Sequence, residues 1–400
     1  MRVRIPISVV CILVVPALAG WFALNSGTTT DLSAVCFPVD ATTGYAAGGN
    51  GLILKTTDGG ASWDSLPGQH PGWQSAVQFP VDATTGYTAT SGGRILKTTD
   101  AGATWARETS GVTLDLRSVC FPVNAETGYV SGGDPPEGVV LKTTNGGANW
   151  VHLSVNPGQP IAAVDFPVDT RTGFAACWAG VLLKTTDGGN TWDSLSTGTT
   201  YDLSSVCFPH DALTGYVAAS MGLVLKTTDG GATWVPKPTG VFDFLNSVSF
   251  PTSDTGYVAG ASGVVFKTTD GGEIWVKQDS VTAEFLNAIQ FPADAQTGYA
   301  VGRSGTIIKT TDGGAAVAET PSAELRTAKA ATIVRGSLFL ANSARSGPSR
   351  LLDAAGRRMV MLRPGANDVR ALAPGVYFVR EEPQASSSKP QAVRKVVIQR

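Results

Sequence analysis

A hexad reading Lys-Thr-Thr-Asp-Gly-Gly, or a close variant, recurs at Lys55, Lys97, Lys142, Lys184, Lys226, Lys267 and Lys309. The intervals are 42, 45, 42, 42, 41 and 42 residues, so seven units fill most of the 400-residue chain. Each unit carries a Phe-Pro step (Phe37, Phe79, Phe121, Phe166, Phe208, Phe250, Phe291) and then a Gly-aromatic step (Tyr45, Tyr87, Tyr129, Phe174, Tyr216, Tyr257, Tyr299). Such a period requires each unit to be one supersecondary element that buries its apolar face against its neighbours.

Within a unit, "LSAVCFP", "GYAAGG", "LILKTT" and "SWDSL" read as four short β runs, separated by the turn sequences "VDATT", "GNG" and "DGGA". No unit holds ten residues of helical periodicity. Units of about 40–45 residues with four strands each are propeller blades, and seven of them close a ring. The fold expected is all-β: a seven-bladed β-propeller over 20–319, a linker over 320–331 and a small C-terminal β-sandwich over 332–400.

Six hexads run on to a tryptophan: Trp63, Trp105, Trp150, Trp192, Trp234 and Trp275. The seventh has Val317 there. From each tryptophan to the next Phe-Pro phenylalanine is 16 residues, and the same interval separates Trp21 from Phe37. Trp21–Leu24 is therefore expected to be the fourth strand of blade seven, pairing near Gly305–Thr310 and leaving no open ring edge. The alternative is that Ala315–Glu319 forms that strand and Trp21 is a vestige.

Arg2 and Arg4 precede an apolar run from Ile5 to Leu18, and Ala17-Leu18-Ala19 has the small-x-small pattern of a signal-peptidase site. Residues 1–19 read as a signal peptide that is cut before Gly20, because the apolar run is short for a membrane span. Cys36, Cys120 and Cys207 share one repeat position in non-adjacent blades, too far apart for disulfides, and are read as small buried hydrophobes. Cys177 is left over.

Segments such as Thr56-Thr57-Asp58-Gly59-Gly60-Ala61-Ser62-Trp63 fit the pattern Ser/Thr-x-Asp-x-Gly-x-Ser/Thr-Trp. The aspartate accepts turn N–H groups, glycine supplies unusual backbone angles, and tryptophan buries a large surface. Asp58, Asp100, Asn145, Asp187, Asp229, Asp270 and Asp312 are the acceptors of seven such turns. Asn149 and Ile274 replace the Ser/Thr of blades three and six. An acidic residue repeated in every blade is structural rather than catalytic or calcium-binding, and the same holds for Asp40, Asp82 and Asp294. No metal and no cofactor is expected.

These motifs resemble those of the Asp-box propellers. The spacing of "LKTTDGG" to tryptophan and of "GY" to the next glycine over residues 21–317 is most similar to the photosystem II stability/assembly factor branch. That resemblance implies fold and turn, and a ring that binds a protein partner without catalysis. Sialidases and xyloglucan-degrading hydrolases also use Asp-box propellers. The sialidase Arg-Ile-Pro signature occurs here only as Arg4-Ile5-Pro6, inside the leader. A two-carboxylate glycosidase needs carboxyl groups about 5–10 Å apart across a cleft, and the connecting loops are short and uniform. The longest departure is "GGDPPEG" at 132–138.

The turns joining strands four to one and two to three share one ring face, opposite the Asp boxes. Six residues before each Phe-Pro phenylalanine that face presents Asp31, Trp73, Asp115, Pro160, Asp202, Phe244 and Phe285, and the two-to-three turns add Trp178, Met221 and Arg303. These vary from blade to blade, as a contact surface requires. Trp73, Asp115, Trp178, Asp202, Phe244, Phe285 and Arg303 are the candidate ligand contacts, for a protein or glycan. Packing of the channel rim is the competing reading.

Residues 20–319 hold 14 basic and 27 acidic residues, a net of −13, whereas 320–400 hold 14 and 5, a net of +9. The acidic ring disfavours nucleic acid, whose phosphates need clustered Lys and Arg. In the tail, "LLDAAGR" (351–357), "LRPG" with "NDV" (362–369), "LAPGVYFVR" (372–380) and the terminal "KVVIQR" (395–400) resemble the type A sorting domain of the type IX secretion system. That resemblance implies delivery by this machinery to a bacterial surface or medium. A monomer is expected.

Overall fold

A computed structural model describes residues 20–66 and 72–314 and, beyond these, the backbone of strands between 332 and 398. The chain divides into two compact units near residue 317. In the first, each repeat is a four-stranded antiparallel sheet, and seven of these make the propeller. Blade one is Leu32–Cys36, Gly44–Gly48, Ile53–Thr56 and Asp64–Ser65.

Blade seven is assembled from both ends of the ring. Its first three strands are Leu286–Gln290, Gly298–Gly302 and Ile307–Thr310. The fourth is Trp21–Leu24, paired antiparallel with Trp21 opposite Thr310 and Leu24 opposite Ile307. The residues 315–319 of the alternative reading lie outside the described set.

The second strand of every blade is buried along its whole length. Its leading glycine is dictated by packing: a Cβ on Gly44 would stand 2.4 Å from the Phe37 ring. The next residue, Tyr45, stacks on Phe79 of the following blade at 3.9 Å between centroids, and Phe79 meets Trp105 edge-on at 6.1 Å. This aromatic triplet recurs at the blade interfaces, including the closing one, where Tyr299 stacks on Phe37 at 3.9 Å and Phe37 meets Trp63 edge-on. Offset and edge-on pairs add to what area burial alone contributes.

Of the seven motif tryptophans, Trp21, Trp63, Trp105, Trp234 and Trp275 are buried, while Trp150 and Trp192 are partly buried. Cys36, Cys120 and Cys177 are buried, Cys207 is partly so, and all four are free thiols. Burial pushes Cys36 up to about 11 and Cys120 and Cys177 up to about 12.

In the second unit the strands Thr332–Val334, Val393–Ile398, Gly375–Glu381, Ser349–Leu352 and Arg358–Leu362 form one sheet in that order, its first pair parallel. Ser337–Leu340 pairs with Gly365–Asp368 in a second. The leader 1–19, the linker 320–331 and the packing of a sandwich fall outside the described residues.

Candidate functional site

The Asp boxes are consumed by structure. In blade one, Asp58 Oδ1 accepts the Thr56 hydroxyl (2.8 Å) and the Ser62 N–H (2.9 Å), and Oδ2 accepts the Ser62 hydroxyl (2.7 Å). Thr56 Oγ1 accepts the N–H of Gly60, whose φ is +85°, a value that favours glycine. Asp100, Asp187 and Asp229 repeat the pattern with Thr104, Thr191 and Thr233. Asn145 accepts from Asn149 N–H at 3.0 Å, and Asp270 from Ile274 N–H at 3.0 Å, so the two departures cost only the hydroxyl donor.

The repeated lysine and tyrosine tie each box to the preceding blade. Tyr45 Oη and Lys55 Nζ both donate to the carbonyl of Ala101, each at 3.1 Å, and the ammonium lies 5.5 Å from the Tyr45 ring centre. Tyr87 and Lys97 do the same to Gly146, and Tyr257 and Lys267 to Gly313. Lys309 and Tyr299 clamp Gly59 at 2.7 and 2.9 Å, closing the ring from blade seven to blade one. Two blades depart: in blade four Phe174 has no hydroxyl and Lys184 alone donates to Gly230 (2.7 Å), and in blade five Tyr216 holds Gly271 while Lys226 pairs with Glu273, which also takes Lys237.

The opposite face carries the variable positions. At each, the backbone is fixed while the side chain differs: the carbonyls of Asp31, Trp73, Asp115, Pro160, Asp202, Phe244 and Phe285 accept the first N–H of the two-to-three turn in their own blade. Three of the aspartates do more. Asp115 Oδ1 accepts Gly92 N–H (2.8 Å), Asp202 Oδ1 accepts Ala179 N–H (2.9 Å) and Asp31 Oδ1 accepts Ser304 N–H (2.8 Å). Each thereby caps a turn of the preceding blade, at a residue whose φ is positive. One carboxylate oxygen of Asp115 and of Asp202 is thus committed to the scaffold.

Where aspartate is absent the position is aromatic or proline. Trp73 is 42% and Phe244 53% exposed, but Phe285 is partly buried under Arg303, whose guanidinium sits 4.0 Å from its ring centre. Trp178 is covered by Arg117 at 5.3 Å, and Arg117 also pairs with Asp134 at 3.4 Å. The predicted contacts therefore separate into the open Trp73 and Phe244 and the stacked pairs of Phe285 with Arg303 and Trp178 with Arg117.

Two open side chains were missed by the repeat reading. Phe242 is 86% exposed and Tyr201 is 42% exposed, and they flank Asp243–Phe244 and Asp202 in the turns entering blades six and five. Met221, 43% exposed, joins them: Ser220 N–H donates to the Asp202 carbonyl and Gly222 N–H to the Asp243 carbonyl. Tyr201, Met221, Phe242 and Phe244 consequently stand exposed on adjoining turns of blades five and six. A groove of about 680 Å3 opens beside Tyr201, lined by Ser194, Ser196, Thr197 and Leu223. Among the described residues no cluster of His, Cys, Asp and Glu has metal-binding geometry.

The family model of the photosynthesis system II assembly factor YCF48 matches three overlapping stretches, 159–242, 194–283 and 237–322. The propeller resembles that family. Among solved structures, YCF48 from Cyanidioschyzon merolae superposes with a TM-score of 0.60 at 20% identity, covering 73% of this chain and 98% of its own. A YCF48 bound to a D1 peptide superposes at 0.61 and 17%, covering 74% and 99%. The GH74 xyloglucanase from Xanthomonas campestris reaches 0.61 at 16%, covering 74% of this chain and 54% of its own. At these identities the likeness to YCF48 and to the xyloglucanase is one of fold. No curated protein sequence matches the chain.

Proposed function

We propose that this protein is a non-catalytic binding ring that holds a peptide segment of a protein partner on the face opposite the Asp boxes. The observation that carries the reading is the contrast between the two faces. Box residues are spent on turns and blade clamps, while Tyr201, Met221, Phe242 and Phe244 stand open on blades five and six. Exposed aromatic and methionine side chains clustered on a rigid scaffold are what binding hot spots are made of. YCF48, which shares the fold, is known bound to a D1 peptide. Against hydrolysis stand the carboxylates of Asp31, Asp115 and Asp202, each with an oxygen held by a backbone N–H.

The leader-like residues 1–19 and the sorting-domain-like tail support export and delivery to a bacterial surface by a type IX machinery. Deleting Lys395–Arg400 is expected to leave a folded propeller in the periplasm; normal extracellular delivery of that truncation rejects the sorting role. A photo-crosslinker placed at Phe242 tests binding. A discrete protein adduct at the cell surface, lost on Phe244→Ala, is expected. Adducts to glycan alone, or turnover of a glycoside, reject the protein-binding assignment.

A further inference from the structure

The seventh Asp box is split between the two ends of the ring. In blades one, two, four and five the residue before the tryptophan gives the aspartate two donors, its N–H to one oxygen and its hydroxyl to the other. In blade seven that residue is Gly20, which has no hydroxyl, and its nitrogen lies 2.9 Å from Asp312 Oδ2. The nitrogen is held there because Trp21 pairs opposite Thr310 and its indole is buried. Asp312 Oδ1 accepts Thr310 Oγ1–H, and Thr310 Oγ1 accepts Gly314 N–H, as in the other boxes, while Gly314 N–H also lies 3.0 Å from Asp312 Oδ1.

We propose that the α-ammonium freed at Gly20 when the Ala19–Gly20 bond is cut pairs with Asp312 across the two ends of the ring. The inference rests on the export reading above. The sequence Ala17-Leu18-Ala19 suits a membrane signal peptidase at this bond. In the hydrolysis the Ala19–Gly20 C–N bond breaks, water gives its hydroxyl to the Ala19 carbonyl, and the Gly20 nitrogen gains two protons to become an ammonium.

A peptide nitrogen offers the carboxylate one hydrogen; an ammonium offers three and a positive charge, and charge-assisted bonds are about twice as strong as neutral ones. The ammonium thus adds charge-assisted donors at Asp312 Oδ2, the oxygen that takes a serine or threonine hydroxyl in blades one, two, four and five. The position is exacting. A chain cut one residue away carries its amine about 3.8 Å along the backbone, away from Asp312.

The test uses the chain 20–400 in three forms: free Gly20, N-acetyl-Gly20, and the chain extended by Ala19. Each is made with Asp312 and with Asp312→Asn. The α-amine is titrated by the pH dependence of its acylation, and Tm is followed from pH 6 to 10. Pairing raises the amine above its ordinary range of about 7.7–8.0, so its stabilisation is fully present below that range and fades as pH rises through the raised value.

The free-amine chain is expected to melt about 2–4 °C above the acetylated and extended chains at pH 6–7, the gap closing at high pH and absent with Asp312→Asn. An ordinary amine titration, or equal melting of the free and acetylated chains, overturns the pairing without reference to export. Mass spectrometry of the secreted product reads the other half. A mature N-terminus at Gly20 supports it, and a start elsewhere or a retained leader overturns it.

Discussion

The indole of Trp21 meets the ring of Phe291 edge-on, with centroids 5.9 Å apart and planes at 88°. Phe37 and Trp63 share that relation within blade one, at 6.2 Å and 83°. Trp21 thus does for blade seven what a tryptophan encoded directly after the hexad does in the others. Trp21→Ala is expected to destabilise the ring by about 3–5 kcal/mol, the cost of deleting a large buried aromatic, and to match Trp63→Ala in denaturant titration. Removing residues 20–26 exposes the edge of Ile307–Thr310, and should produce concentration-dependent aggregation measurable by light scattering.

Among the described residues, the buried indole N–H groups of Trp63, Trp234 and Trp275 find no acceptor. Their tryptophans serve as ring surface, and the orphan donor opposes folding by about 1–3 kcal/mol. Trp234→Phe is therefore expected to cost under about 1–2 kcal/mol, since loss of the orphan offsets part of the lost area, whereas Trp234→Ala costs about 3–5 kcal/mol. Equal losses for the two substitutions, measured by urea unfolding, would show that the indole nitrogen is satisfied in solution.

The ring and its closure were legible in the sequence because both are encoded in one-dimensional intervals: the hexad period, and the step from Trp21 to Phe37 that equals the step from Trp63 to Phe79. The clamp was not, because Lys55 and Tyr45 take a backbone carbonyl, at Ala101, that leaves no side-chain trace. Nor was the partition of the open face. Asp115 and Asp202 varied as a contact surface should, yet each reaches over a blade boundary to cap a turn 23 residues back. Phe242 leaves no trace in the repeat because it stands two residues before the aligned position, Phe244.

Acid response has two opposed sources. Hydrogen bonds from the residue four places on hold Asp58, Asp100, Asp187 and Asp229 at about 2. Depressed carboxyls contribute stability that is present above the unfolded value near 3.9 and lost as pH falls through about 2, so the ring should unfold cooperatively in strong acid. Asp165 runs the other way. Burial pushes it up to about 6, although its Oδ2 accepts Phe208 N–H at 2.7 Å. Stability should rise as pH falls from about 6 towards 4. At the equivalent sites Gln78 and Gln290 accept Phe121 and Phe37 N–H with neutral amides. Asp165→Asn is accordingly expected to raise Tm at pH 7.5 by about 2–4 °C and to flatten the profile between pH 4 and 6, as read by calorimetry.

Exposure decides the last comparison, between a contact surface and rim packing. Trp73, Phe242 and Phe244 are each more than 40% exposed, so truncating them removes little buried area. Replacing all three by alanine should leave the unfolding free energy within about 1 kcal/mol of the parent while lowering partner capture at the Phe242 crosslinking position's neighbours, such as Met221, at least tenfold. Asp202→Ala should do the reverse: it strips the cap from Ala179, whose φ is 53°, and should cost about 0.5–1.5 kcal/mol in denaturant with little loss of capture. If instead the aromatic triple variant melts early and Asp202→Ala abolishes capture, the aromatics pack the rim and the acidic turns make the contact.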